Sequence, residues 1–248
     1  MSRTQRTVSS TNIYHVMFRG INRQQLFEER QDYERFLFLL EKYKPISGYK
    51  IYAYCLMPNH IHLLIQEGDE SLGLAFRRIG SSFVYWYNAK YTRVGHLFQD
   101  RYKSETIESD VALMRVIRYI HQNPVKAGLC ERLEDYRYSS FVDYGTNPLI
   151  DSHLVFEKIS REDFYSFQQT DSHDAYLDID DHPKKIITDD EAKQIMIDRY
   201  SCFGTADFQR LREALKEQLL RELLASGGSL RQISRLTGAT IGMIRKLR

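Results

Sequence analysis

Two apolar runs, residues 49–57 and His60–Gln66, are separated only by Pro58 and Asn59. A link that short joins adjacent antiparallel strands, and both runs are rich in the β-branched and aromatic residues that strands favour. The second run opens His60-Ile61-His62-Leu63-Leu64-Ile65. Side chains alternate along a strand, so His60 and His62 share one face, roughly 7 Å apart along the backbone, while Ile61 and Leu63 take the other. Two imidazoles on one rigid strand can hold a divalent cation. Taken alone, so short a motif is more often structural.

The surrounding pattern gives this hairpin a setting. Ile13–Arg19 reads as a strand. Residues 31–43 carry Phe36, Leu39, Leu40 and Tyr43 at helical spacing, and Pro45 and Gly48 are expected to end that helix. Residues 71–91 form a long helical stretch with Leu72, Phe76, Ile79, Phe83 and Trp86-Tyr87 recurring on one side. Residues 103–107 read as a fourth strand. Ser109 then caps a helix running to about Gln122, which Pro124 is expected to close, because the residue before proline is disfavoured in the α region. The first six elements give a ferredoxin-like βαββαβ plan followed by an extra helix, an α+β fold. Such a plan hosts many functions, so chemistry has to come from the site.

Beyond residue 145 the periodicity loosens. The expected organisation is a folded domain over 1–145, an acidic linker over 146–188 with an aspartate-rich stretch around His173, and an all-α region over 189–248. The formal net charge of +2 conceals an uneven distribution: 20 Lys/Arg against 16 Asp/Glu in 1–145, 5 against 12 in 146–193, and 10 against 5 in 194–248. Two mildly basic blocks that can meet nucleic acid therefore flank an acidic one. In the last block, residues 208–224 place Leu211, Leu215, Leu219, Leu220 and Leu223 on one side. Gly227-Gly228 breaks that helix. Ser229 caps a short one with Ile233 and Leu236 inward, and Thr240 caps a last one carrying Arg245, Lys246 and Arg248. This helix-turn-helix-like spacing suits a reader of duplex DNA, the alternative being a helical hairpin that supports the fold or a dimer. No apolar run approaches the roughly 18–20 residues of a membrane span, and the polar start lacks the apolar segment of a signal peptide. The three cysteines, Cys55, Cys130 and Cys202, are far apart. They fit free thiols in a reducing cytoplasm better than a zinc ribbon.

With 17 tyrosines in the chain, no single one is informative by type. Tyr119 stands out because Asn123 follows four residues later on the same helix, which puts a phenol and a carboxamide on one face. Were that helix to cross the sheet face bearing His60 and His62, Asn123 would be in reach as a third metal ligand and Tyr119 would stand beside the metal.

Four ordered blocks extend this pattern. They are Tyr14-His15-Val16 with Arg19-Gly20-Ile21-Asn22-Arg23; Leu56-Met57-Pro58-Asn59-His60-Ile61-His62-Leu63-Leu64; Gly95-His96-Leu97-Phe98-Gln99-Asp100-Arg101-Tyr102-Lys103-Ser104; and Tyr119-Ile120-His121-Gln122-Asn123-Pro124-Val125-Lys126-Ala127-Gly128. Over roughly residues 12–145 the chain resembles the HUH-type single-tyrosine transposases, and among them the REP-associated tyrosine transposases. The resemblance implies the ferredoxin-like fold. It implies His60 and His62 as the paired ligands of a divalent cation, Asn123 at the position of the polar third ligand (glutamine in some relatives), and Tyr119 as nucleophile. It also implies cleavage of single-stranded DNA beside hairpins, through a covalent 5′-phosphotyrosine that leaves a free 3′-OH. The implied partner is a single-stranded DNA hairpin; duplex DNA at the C-terminal region is an expectation from the helix-turn-helix-like spacing there, outside the resemblance. Monomer and homodimer are both compatible, and the implied location is a bacterial cytoplasm, on the nucleoid when DNA is bound.

These residue types suit that chemistry. An ordinary tyrosine, with a pKa near 10, is only about 0.1% phenolate at neutral pH, so forming the nucleophile costs roughly 4 kcal/mol without help. Two neutral imidazoles and an amide, with no thiolate, favour Mg²⁺ or Mn²⁺ over structural zinc. Arg19, Arg23, Arg101 and Lys103 are candidate phosphate contacts, as are Arg245 and Lys246 in the C-terminal region. His15, His96 and His121 are expected to be satisfied structural histidines more than ligands. Of Tyr85, Trp86 and Tyr87, at least two are expected in the core, the remainder being available for base stacking. Other readings remain. A domesticated protein would bind structured single-stranded DNA or RNA without cutting it. Hydrolases that use histidines as acid and base need a third alternating histidine, where this chain has Leu64, or a second distant His-x-Ser/Thr.

Overall fold

The computed structural model describes residues 7–170, 176 and 187–247. By its contacts the chain divides into two compact units: Met1–Leu26 with Gln31–Asp181, and Phe27–Arg30 with His182–Arg248.

The first unit is built on one antiparallel sheet. Strands β1 (Ile13–Arg19), β2 (Lys50–Met57), β3 (His60–Gln66) and β4 (Lys103–Thr106) lie in the order β2-β3-β1-β4, with α1 (Arg30–Ser47) and α2 (Leu72–Lys90) as the crossovers. This is the ferredoxin-like βαββαβ arrangement, and α3 (Asp110–Lys126) is the additional helix. The hairpin forms as its two-residue link requires, with Met57 opposite His60 and Cys55 opposite His62. The other centre pairing is β1 with β3, which sets Arg19 against His60, Met17 against His62 and His15 against Leu64. Opposed residues point to the same side, so His15, Met17 and Arg19 join His60 and His62 on one face. On the other face Phe18 meets Phe76 of α2 edge-on at 4.9 Å, whereas α3 packs against β2 and β3 from the histidine side.

The helix starts follow their caps. Ser71 accepts from the Leu74 amide and Ser109 from the Ala112 amide, each satisfying a first-turn donor that the helix cannot. The helix ends correct two expectations. Pro45 does not stop α1, which runs to Ser47, and Pro124 does not stop α3, which runs to Lys126. A proline near the end of a helix forfeits one hydrogen bond, whereas the stop needs the left-handed turn that Gly48 (φ +68°) and Gly128 (φ +66°) supply. Asn123 is thereby held inside the last turn of α3, where its carbonyl accepts from the Ala127 amide.

The stretch expected to begin a linker at residue 146 is folded onto this unit through residue 170. It contains α4 (His153–Phe156) and α5 (Arg161–Gln169). Phe164 is fully buried and stacks on Tyr144 at 4.4 Å. An acidic surface thus conceals an aromatic anchor, which charge counting does not register. The aspartate-rich residues 171–175 and 177–186, His173 among them, lie outside the described residues, as does Arg248.

The second unit is all-α: α6 (Asp189–Tyr200), α7 (Thr205–Arg210), α8 (Glu213–Ala225), α9 (Leu230–Thr237) and α10 (Ile241–Arg245). The single helix expected over 208–224 is two helices, because Leu211 is extended (ψ 147°) and packs against the unit's core. Ser229 and Thr240 cap α9 and α10 as expected, and Gly238 makes the turn between them at φ +74°. A buried polar knot ties α6 to α9. The Asp189 carboxylate, with no exposure, accepts from Gln232 Nε2 at 3.0 Å and from Arg235 Nη2 at 2.9 Å. Asp189→Ala removes the acceptor shared by the buried Gln232 amide and the half-buried Arg235 guanidinium. It should cost about 3 kcal/mol, read as a lower denaturation midpoint by circular dichroism.

Candidate metal and nucleophile site

The face of the sheet that carries the two histidines is crossed by α3, and the site lies between them. His60 is 8% exposed, His62 1% and Tyr119 2%. The Tyr119 ring meets His62 edge-on with centroids 5.8 Å apart. The two histidine rings stand 4.9 Å apart and nearly perpendicular. Alternation along β3 explains the histidine pair, and the packing of α3 on β2 and β3 explains the tyrosine.

Hydrogen bonds decide which nitrogens face outward. His60 Nδ1 lies 2.7 Å from the Asn59 side-chain oxygen, to which it can only donate. That places the proton on Nδ1 and leaves Nε2 with a lone pair. His62 Nδ1 lies 2.9 Å from His15 Nε2. Burial, and secondarily the charge of Arg19, lowers the His60 pKa to about 3. Burial first, then His60 and His15, holds His62 well below the usual histidine range. Both rings are therefore neutral at physiological pH, the form that donates a lone pair to a metal.

Asn123 sits one turn beyond Tyr119. Its Nδ2 donates to the Tyr119 carbonyl at 2.7 Å, which leaves Oδ1 as the acceptor end of the amide. No cluster of three His, Cys, Asp or Glu side chains suited to a metal occurs among the described residues. Two neutral imidazoles on one sheet face could donate to a cation, and the Asn123 amide on α3, one turn from Tyr119, offers an oxygen.

Residues that the sequence did not single out complete the surroundings. Lys126 Nζ lies 5.4 Å from the centroid of the Tyr119 ring. The Tyr176 ring meets Tyr119 at 5.2 Å and forms part of the cover over it. Asn59 was visible only as a turn residue, although its adjacency to His60 was a usable signal. Glu105 comes to the site through the pairing of β4 with β1, which local sequence does not show.

The basic candidates separate by position. Arg19 is opposite His60, and Lys103, opposite Met17, also lies on the histidine face. Arg23 and Arg101 are exposed in the loops after β1 and before β4. In the second unit Arg245 and Lys246 are exposed at the end of α10. Among the remaining histidines, His121 is a structural one, bonded to Gln168 and Ser140 at 2.9 and 2.8 Å. His96 is instead exposed on a loop, and His15 bonds directly to His62. In the aromatic trio Tyr87 is buried and Trp86 half-buried beneath Lys90, while Tyr85 is 81% exposed.

Residues 8–123 match the family described as Transposase IS200 like, and that span contains all four candidate site residues. A REP-associated tyrosine transposase of Haemophilus influenzae is 31% identical over 117 residues, covering 39% of this chain and 66% of the relative. The Escherichia coli REP-associated tyrosine transposase is 26% identical over 102 residues, covering 40% of this chain and 59% of the relative. The chain thus spans less than two thirds of the length of either relative. A solved REP-associated tyrosine transposase bound to a REP hairpin has the same fold. It superposes with a TM-score of 0.51 at 23% identity, over 60% of this chain and 90% of the other. The βαββαβ sheet, the paired histidines, Tyr119 and Asn123 all lie inside the matched region, and residues 8–123 are similar to the IS200-like transposases, REP-associated tyrosine transposases among them.

Proposed function

We propose that the protein is a metal-dependent strand transferase that cuts single-stranded DNA beside hairpin-forming repeats, with Tyr119 as nucleophile. The observation that carries this reading is the seating of the Tyr119 ring against His62, on the same sheet face as His60. His60 Nε2, His62 Nε2 and Asn123 Oδ1 would hold Mg²⁺ or Mn²⁺. A divalent cation bound there supplies a Lewis acid that polarises the scissile phosphate and offsets charge on its oxygens.

The chain's own residues do the rest. Asn59 fixes the His60 ring, and α3 holds Tyr119 at the histidine face. Tyr119 Oη loses its proton to solvent and forms a bond to phosphorus as the bond from phosphorus to the 3′-oxygen breaks. The 3′-oxygen takes up a proton and leaves as a hydroxyl. The product is a 5′-phosphotyrosine, whose ester energy is kept for attack by a later 3′-OH, so no nucleotide cofactor is required. Arg19 and Lys103, on the histidine face, with the exposed Arg23 and Arg101, would meet the backbone phosphates of the incoming strand. The solved relative bound to a REP hairpin supports a hairpin as substrate.

An end-labelled hairpin with single-stranded flanks, incubated with the protein and Mn²⁺ or Mg²⁺, should yield a covalent protein–DNA adduct that chelator abolishes. Tight binding with neither adduct nor nick would instead support a hairpin-binding protein that does not cut. For the second unit, duplex binding through Arg245 and Lys246 predicts that Arg245→Ala with Lys246→Ala reduces the slope of log affinity against log salt by about 2. An unchanged slope would remove that surface from the account.

A further inference from the structure

His15 has no exposed surface, lies on the histidine face and meets the Tyr119 ring edge-on with centroids 5.7 Å apart. Its Nε2 is 2.9 Å from His62 Nδ1, with the rings inclined by only 21°. Its other nitrogen, Nδ1, has no hydrogen-bond partner, but Glu105 Oε2 stands 3.6 Å away, directly across the β1–β4 pairing. We infer that His15 is a positioning residue, which selects the His62 tautomer whose Nε2 carries the lone pair for the cation. This rests on the reading of His60 and His62 as metal ligands.

The argument is one of proton counting. Only one proton fits between His15 Nε2 and His62 Nδ1. If it belongs to His15, the neutral His62 ring carries its own proton on Nε2 and has no lone pair for a metal. If it belongs to His62, Nε2 is open, and the His15 proton must then sit on Nδ1, facing the Glu105 carboxylate. Glu105 favours the second arrangement, since a carboxylate attracts an N–H and repels a lone pair. The near-parallel rings also fix the plane of His62, and with it the direction of its lone pair. His60 reaches the same state by a different route, through Asn59. Each histidine of the pair thus has its own acceptor, and that of His62 lies on a different strand.

The test uses the full chain and Mn²⁺ as probe. In the metal-free wild type, ¹⁵N shifts of the imidazoles should show His62 protonated on Nδ1 and bare on Nε2; the reverse would overturn the inference without any variant. His15→Phe keeps a buried ring but removes the acceptor, and should weaken Mn²⁺ binding about 10–100-fold by calorimetry. His15→Gln, whose side-chain oxygen can accept from His62, should recover most of that loss. Folded His15→Phe protein that binds Mn²⁺ as tightly as wild type would overturn the role of His15 alone. Failure of the wild type to bind Mn²⁺ would instead overturn the metal site on which it rests.

Discussion

Tyr119→Phe should abolish strand cleavage, lowering the rate by about four orders of magnitude or more, while hairpin binding persists. The substitution removes one oxygen from a ring that is 2% exposed and packed against His62, Lys126 and Tyr176. The ring contacts survive, so stability should change by no more than about 1 kcal/mol. A nucleophile has no substitute within its site, and removal of one typically accounts for most of an enzyme's rate enhancement. Rates from a denaturing gel, with binding measured on the same preparation, separate the two effects. Cleavage at the wild-type rate in Tyr119→Phe would transfer the nucleophile's role to another residue or to water.

Loss of either histidine should be nearly as severe for chemistry, but the two variants should differ in stability. His60→Ala and His62→Ala each remove one of two imidazole donors, so Mn²⁺ binding should fall by more than about 100-fold and cleavage by about 10³. His60→Ala leaves the Asn59 side chain at the hairpin turn, 9% exposed and able to find water. His62→Ala strands the His15 Nε2 in a site with no exposure, which adds about 1–3 kcal/mol of destabilisation. Calorimetric Mn²⁺ titration and thermal unfolding of both variants check this. Equal unfolding midpoints would contradict the His15–His62 bond, and undiminished Mn²⁺ binding would contradict the metal site.

What the sequence revealed follows from the range of each physical signal. Strand alternation and capping are local, so the hairpin, the facing of His60 and His62 and the Ser71 and Ser109 caps could all be read directly. The spacing of Tyr119 and Asn123 was equally local. The proximity of that helix to the histidines was conditional on packing, and the packing of α3 on β2 and β3 supplies it. At α1 the expected stop at Gly48 holds although the helix passes through Pro45, whereas α3 passes through Pro124, expected alone to close it, and stops at Gly128; both glycines have positive φ. The split at Leu211 reflects a leucine drawn into the core of its unit, a tertiary preference that periodicity cannot register. The Glu105–His15–His62 line was invisible because its members come from three strands separated by long stretches of chain. No helix among the described residues is long and apolar enough to cross a membrane.

The central claim is that Tyr119, held at a histidine-bound cation, becomes joined to the 5′ side of the cut strand. Mass spectrometry of the adduct after nuclease and trypsin treatment tests it most directly. The account predicts that the peptide of residues 119–126 carries the mass of a 5′-linked nucleotide on Tyr119, and only when Mn²⁺ or Mg²⁺ was present. A nucleotide on any other residue, or a cut strand ending in a free 5′-phosphate with no modified peptide, would contradict it.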